Sequence, residues 1–142
     1  MVPEKRVYLA GPMSGLPEAN FPEFKRVREI LRKNRFKVVC PAEMTKALGG
    51  GRRECMLRDV QHVLNLNKSE GHGQSGCVII LPNWRESTGA NTEVLVAWQI
   101  GINVYEYTDL EKDPFFSLTL LHTVPSRLPY SSNPSYRPTT LE

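Results

Sequence analysis

The segment Cys77-Val-Ile-Ile-Leu81 limits the fold more than any other stretch of the chain. It is apolar at every position, so a strand made from it has no polar face to turn to water. Such a strand has to be covered on both sides, which is the condition of a parallel sheet held between helices. Val7-Tyr8-Leu9-Ala10 has the same character and is stopped by Gly11-Pro12. Phe36 to Cys40, stopped by Pro41, and Val104 to Tyr107 supply two further strands. Helical patterns lie between them. Asn20 and Pro22 open one, in which Phe24, Val27, Ile30 and Leu31 recur at helical spacing as far as Asn34. A second runs from Arg53 to about Leu66, and a third from about Ala90 to Ile100 with Gly101 as its stop. Strands alternating with helices predict a parallel sheet covered on both faces.

The 142 residues make one domain's worth of chain, and 40% hydrophobic residues suffice for a core at that size. Ala42 to Gly51 and Lys68 to Gly76 read as loops, the second polar and glycine-rich. From Thr108 the character changes. Phe115 to Leu121 has the pattern of one short element, and beyond Pro125 the sequence is rich in Pro, Ser and Tyr. The domain is therefore placed at residues 1–110, with a partly irregular extension over 111–142 that docks on a neighbour or stays disordered. Cys40, Cys55 and Cys77 have no metal-like spacing and read as reduced thiols. No apolar run approaches the ~20 residues of a membrane span, and Glu4-Lys5-Arg6 leads straight into a strand with no signal peptide. A cytoplasmic protein is the expectation. The net charge of +3 is mild, and no Lys/Arg cluster has interleaved aromatics, so neither a nucleic-acid polymer nor a membrane is an expected partner. The basic residues between Lys25 and Lys33 read as the solvated side of their helix.

In an open parallel sheet, ligands bind beyond the carboxyl ends of the strands. Three segments belong there: Gly11 to Gly15, Pro41 to Gly51, and Pro82 to Gly89. The last leads into a helix, whose first N–H groups and dipole favour an anion. Glu93 lies about a turn into that helix. It reads either as a carboxylate stabilising the helix N-terminus or as a group that does chemistry. Asp59, beside Arg58, and Tyr8, in a central strand, are the other candidates. A carboxylate nucleophile with a second carboxyl group and a phenol suits substitution at a sugar carbon, where the transition state resembles an oxocarbenium ion.

Three stretches, "VYLAGPMSG", "NFPEFKRVREILRKNRFKVVCPAE" and "STGANTE", resemble the nucleoside 2-deoxyribosyltransferase superfamily, especially its short phage and bacterial members. The resemblance covers about Val7 to Tyr107. It implies a Rossmann- or flavodoxin-like three-layer α/β fold and retaining attack on an N-glycosidic bond, with no metal and no organic cofactor. The family's nucleophilic glutamate matches Glu93, its aspartate best matches Asp59, and its strand-one tyrosine matches Tyr8. Ser87 takes a place where the nucleoside-using transferases carry aspartate and the related hydrolases of nucleoside 5′-monophosphates carry serine. An aspartate repels a phosphate, whereas a hydroxyl beside a helix N-terminus donates to it.

With Ser14, Thr88 and the backbone of Gly11, Gly15 and Gly89, Ser87 forms the expected phosphate and sugar cradle. Asn20 and Tyr8 are candidates for excluding a 2′-hydroxyl. Trp84 is expected to stack on the base or to wall the pocket. The inserted polar loop at 67–76 departs from the family pattern and bears on the placement of Asp59.

The leading expectation is cleavage of 2′-deoxynucleoside 5′-monophosphates to free base and deoxyribose 5-phosphate. Base exchange between deoxynucleosides is its rival within the class. A non-catalytic nucleotide sensor and a purely structural oligomer are rivals outside it. The resemblance further implies a homodimer or larger homo-oligomer in which a neighbour completes the site. Tyr105, Tyr107, Ser117 and the tail are candidates for that contribution.

Overall fold

The computed structural model describes residues 6–13, 15–66, 76–111 and 115–122, and only the backbone at 45–48 and 52. Ser14, the inserted loop at 67–75 and the Pro-rich tail lie outside the described residues. The described chain forms a mixed α/β fold around one five-stranded sheet. In chain order its elements are β1 (Arg6–Ala10), α1 (Phe21–Lys33), β2 (Lys37–Val39), α2 (Pro41–Leu48), α3 (Arg52–Asn65), β3 (Cys77–Ile80), α4 (Thr88–Gln99), β4 (Val104–Asp109) and β5 (Phe116–Leu120). The strands stand in the order β2-β1-β3-β4-β5. All neighbours run parallel except β4 and β5. This is the flavodoxin-like order, in which the chain turns one way from β1 to β2 and the other way to β3.

Alternation along the strands sorts the core into two layers. Val7 and Leu9 of β1, with Cys77 and Ile79 of β3, face Phe24, Val27 and Leu31 of α1. Tyr8 and Ala10, with Val78 and Ile80, face Val63 of α3 and Val94 and Ala97 of α4. That alternation puts the Tyr8 side chain on the same side of the sheet as the two helices that carry Asp59 and Glu93.

The ends of β1 and β3 close tightly. Leu81 N–H donates to the Ala10 carbonyl at 2.9 Å. A Cβ on Gly11 would lie 2.9 Å from Leu81 Cβ, so the backbone beyond β1 passes only because residue 11 is glycine.

Two expectations need correction. Residues 41–48 form a helix rather than a loop. Pro41 ends β2, but it also occupies the first helical position, where its missing N–H costs nothing. The sheet also continues past the boundary expected at residue 110. Phe116 pairs with Asp109 and Leu120 with Tyr105, so the element expected at 115–121 is an edge strand of the same sheet. Cys40, Cys55 and Cys77 are free thiols. Among the described residues no helix is long and apolar enough to cross a membrane.

Candidate active site

A cleft of about 940 Å³ opens at the carboxyl ends of β1 and β3, where the strand order reverses. Gly11, Pro12, Met13 and Gly15 after β1, and Pro82, Asn83, Glu86 and Ser87 after β3, form facing walls. Asn20 and Glu23 at the start of α1, and Cys55, Met56 and Asp59 of α3, complete it with Thr88 to Ala90 and Glu93 of α4. Among the described side chains of Pro41 to Gly51 none lines the cleft, and residues 41–48 fold into α2.

Glu93 and Asp59 enter from neighbouring helices and are 5% and 8% exposed. Tyr8 lies beneath them in the sheet and is fully buried. Burial pushes the Glu93 carboxyl up to about 8. The Asp59 charge adds to that rise and the Tyr8 hydroxyl opposes it. Burial also raises Asp59, against the pull of Arg58, His62 and the Tyr8 hydroxyl. The Tyr8 phenol is itself raised by burial and by both carboxylates, so it stays a donor throughout the ordinary pH range. The Tyr8 hydroxyl and Glu93 Oε2 are buried without a partner of hydrogen-bond geometry. The phenol is nonetheless near enough to lower both carboxyl groups. The ring of His62 stacks on that of Tyr8 at 6.5 Å between centroids.

Ser87 is the N-cap of α4, its hydroxyl oxygen accepting from Ala90 N–H at 3.2 Å. The same residue lines the cleft, where its own O–H remains a donor. The capping residue three positions on is Ala90, so Glu93 is not the acidic partner of a capping box. Its depth in the cleft, and not the helix end, accounts for its place. Asn20 does not cap α1 through its side chain. It stands at φ 63° and its amide donates to the Pro12 carbonyl at 2.9 Å, tying the two walls beside β1.

Trp84 is neither a base platform nor a wall. It is 1% exposed, packed in the core under α4 with Tyr8, Ala90 and Val94, and the guanidinium of Arg85 lies 4.5 Å from its ring. The short 3-10 turn at Trp84–Glu86, entered through Asn83 at φ 65°, turns the indole inward. Tyr105 and Tyr107, expected as contributions to a neighbouring site, are buried in the α1 layer. Four further residues went unnoticed in the sequence. Cys55 and Met56 precede Asp59 by about one turn on the same face of α3, a spacing that marks them once Asp59 is placed. Glu23 and Glu86 carry no pattern that singles them out. Glu23 is committed to Arg26 at 2.6 Å, and Arg26 also holds Asp109 at 2.7 Å.

Among the described residues no group of His, Cys, Asp and Glu is arranged to hold a metal ion. The site can place two carboxyl groups against a ligand seated in the cleft, with the Tyr8 phenol behind them and the first turn of α4 beside them. Residues 5–106 match the family described as "Domain of unknown function (DUF4406)". No curated protein matches the chain.

Proposed function

The chain belongs to the DUF4406 family, a domain of unknown function, and from that premise we propose that its cleft cleaves the N-glycosidic bond of 2′-deoxynucleoside 5′-monophosphates. The observation that carries this reading is the convergence of Glu93 and Asp59 over Tyr8 at the floor of the cleft. The resemblance of the sequence to the nucleoside 2-deoxyribosyltransferase superfamily supports the same assignment of roles.

Glu93 attacks the anomeric carbon as a carboxylate and the bond to the base breaks, leaving a glycosyl ester. Asp59, as the acid, gives its proton to the departing base. Water then attacks the anomeric carbon of the ester, Asp59 takes a proton from it, and the bond from that carbon to Glu93 breaks as deoxyribose 5-phosphate forms. A carboxyl group with a pKa of about 8 is roughly one-tenth ionised at pH 7. Moving the Glu93 proton to Asp59 leaves the nucleophile ionised and the acid protonated, which is the state the first step needs.

The phosphate is assigned to Ser87 and the first turn of α4. The charges in the cleft favour a second reading. Its charged lining residues are Glu23, Asp59, Glu86 and Glu93, with no Lys or Arg among the described ones. Glu23 is offset by Arg26, and burial favours the neutral forms of Asp59 and Glu93. Glu86 remains exposed beside Ser87 without an ion pair to another described residue. A helix N-terminus contributes about 0.3–1 kcal/mol toward an anion, so one unpaired carboxylate is enough to contest it. An uncharged deoxynucleoside, with a second base in place of water, is therefore the alternative substrate. In either case the reading includes a homo-oligomer whose neighbouring copy completes the site.

The test is to incubate the protein with each deoxynucleoside 5′-monophosphate and each deoxynucleoside, with Glu93→Gln in parallel, and to follow free base by chromatography. Release from a monophosphate that disappears in Glu93→Gln is the expected result. Release or exchange from nucleosides alone moves the assignment to a deoxyribosyltransferase. Binding without turnover, unchanged by Glu93→Gln, makes the domain a nucleotide sensor.

A further inference from the structure

Asn91 precedes Glu93 by two residues on α4 and is 3% exposed. Asparagine is a poor helix former because its amide competes for backbone groups. In α4 that competition is directed at one target. The Asn91 Nδ2 donates to the carbonyls of Trp84 at 3.1 Å, Arg85 at 3.0 Å and Ser87 at 2.7 Å. Two amide hydrogens thus serve three acceptors, so one hydrogen is shared. All three carbonyls belong to the turn between β3 and α4. Within that turn the backbone bonds are Glu86 N–H to Asn83 at 3.3 Å and Ser87 N–H to Trp84 at 2.9 Å. One buried side chain therefore fastens the Trp84–Ser87 turn to the helix that carries Glu93.

The turn is also a wall of the cleft, and it bears Ser87 and Glu86, the two groups on which the choice between a phosphate and an uncharged substrate depends. We infer that Asn91 is a positioning residue for substrate specificity, setting how Ser87 and Glu86 face a ligand held against Glu93. This rests on the N-glycosidase reading of the cleft. Glu93 keeps its own place through α4 and the sheet, so loss of the Asn91 amide acts on substrate recognition before it acts on the chemical step.

Two variants separate this from a general loss of stability. Asn91→Leu keeps the branching at Cγ, with a somewhat larger side chain, and removes both donors. Asn91→Asp keeps the shape but, once ionised, presents only acceptors to three carbonyl oxygens. Expected for Asn91→Leu is a KM for the cleaved substrate at least about tenfold higher with kcat within about threefold, at every pH. Asn91→Asp shows the same change growing as pH rises, because its protonated form still donates one hydrogen bond. A fall in kcat with KM unchanged, in both variants, overturns the inference.

Hydrogen exchange supplies a readout that needs no turnover. In Asn91→Leu the amides of Glu86 and Ser87 exchange at least about tenfold faster than in the parent, while the central turns of α4 do not change. If the parent protein neither cleaves nor binds any nucleotide, the N-glycosidase reading fails, and the exchange experiment alone decides whether Asn91 holds the turn. Unchanged exchange at Glu86 and Ser87 removes the positioning role whatever the cleft does.

Discussion

A carboxyl group as deep as Glu93 is stable in its protonated form, whereas a nucleophile has to be ionised, and the residue carries both demands. Its folded pKa of about 8 lies above the ordinary glutamate value of 4.5. Its contribution to stability is therefore complete below pH 4.5 and is lost as pH rises toward 8. Glu93→Gln removes the ionisation, so its stability relative to the parent should climb over that window and level off above it. The scale is on the order of 1.4 kcal/mol for each pKa unit. Thermal unfolding at several pH values checks this, and a difference independent of pH would mean Glu93 is already ionised in the folded protein. The same variant should lose base release by about three orders of magnitude or more. Two neighbours set the pH at which the nucleophile is armed, with opposite signs. Tyr8 lowers the Glu93 pKa and Asp59 raises it. For the free protein the reacting state keeps one proton on the Glu93–Asp59 pair, so kcat/KM should fall as pH rises through about 8. That limb should move to higher pH in Tyr8→Phe, whereas the residual activity of Asp59→Asn, which has no shared proton to keep, should rise with pH through a value below 8. A limb that Tyr8→Phe leaves in place would show that the phenol does not act on the pair.

At the level of elements, the start of α4 has two duties that a substitution can separate. Ser87 caps the helix through Ala90 and also faces the cleft. Ser87→Ala loses both roles and should cost about 1 kcal/mol of stability. Ser87→Asp keeps a good cap and adds a favourable charge at the helix N-terminus, so its melting temperature should match or exceed the parent's. Its KM for a deoxynucleoside 5′-monophosphate should nevertheless rise by more than about tenfold, while the KM for the deoxynucleoside does not. Equal effects on both substrates would take the phosphate away from Ser87. The elements themselves were largely legible in the sequence. Cys77 to Leu81 and Val7 to Ala10 announced buried parallel strands, and the spacing of Phe24, Val27, Ile30 and Leu31 announced α1. The helix at Pro41–Leu48 was not, because a proline after an apolar run signals the end of a strand as readily as the first residue of a helix. Trp84 was misjudged for a similar reason, since the inward turn depends on positive φ at Asn83, which the sequence of a loop does not disclose.

For the whole molecule, sequence pattern located the cleft but not the company within it. Tyr8, Asp59 and Glu93 were each readable as candidates. Their convergence depends on strand alternation, on the β1–β3 switch point and on α3 packing beside α4, none of which a residue pattern settles. Asn91 stayed hidden because its partners are carbonyl groups. The packing of α3 on α4 also leaves an outer surface that bears on assembly. Leu57 is 61% exposed, Leu64 is 42% exposed two turns further along the same face of α3, and Trp98 of α4 is 43% exposed. Gln61 lies between Leu57 and Leu64 on that face, and the exposed Arg53 and Glu54 stand about a turn before Leu57. An isologous pair of copies meets through one self-complementary patch, and exposed apolar side chains can meet their own images there. The proposed shared site therefore puts the expected dimer contact along α3 and α4, next to Cys55, Met56 and Asp59. Sedimentation should give a dimer for the parent protein and a monomer for Leu57→Glu combined with Trp98→Glu. Base release should fall with dissociation, although none of the altered residues lines the cleft. A folded monomer with full activity would show that each cleft is complete within one copy.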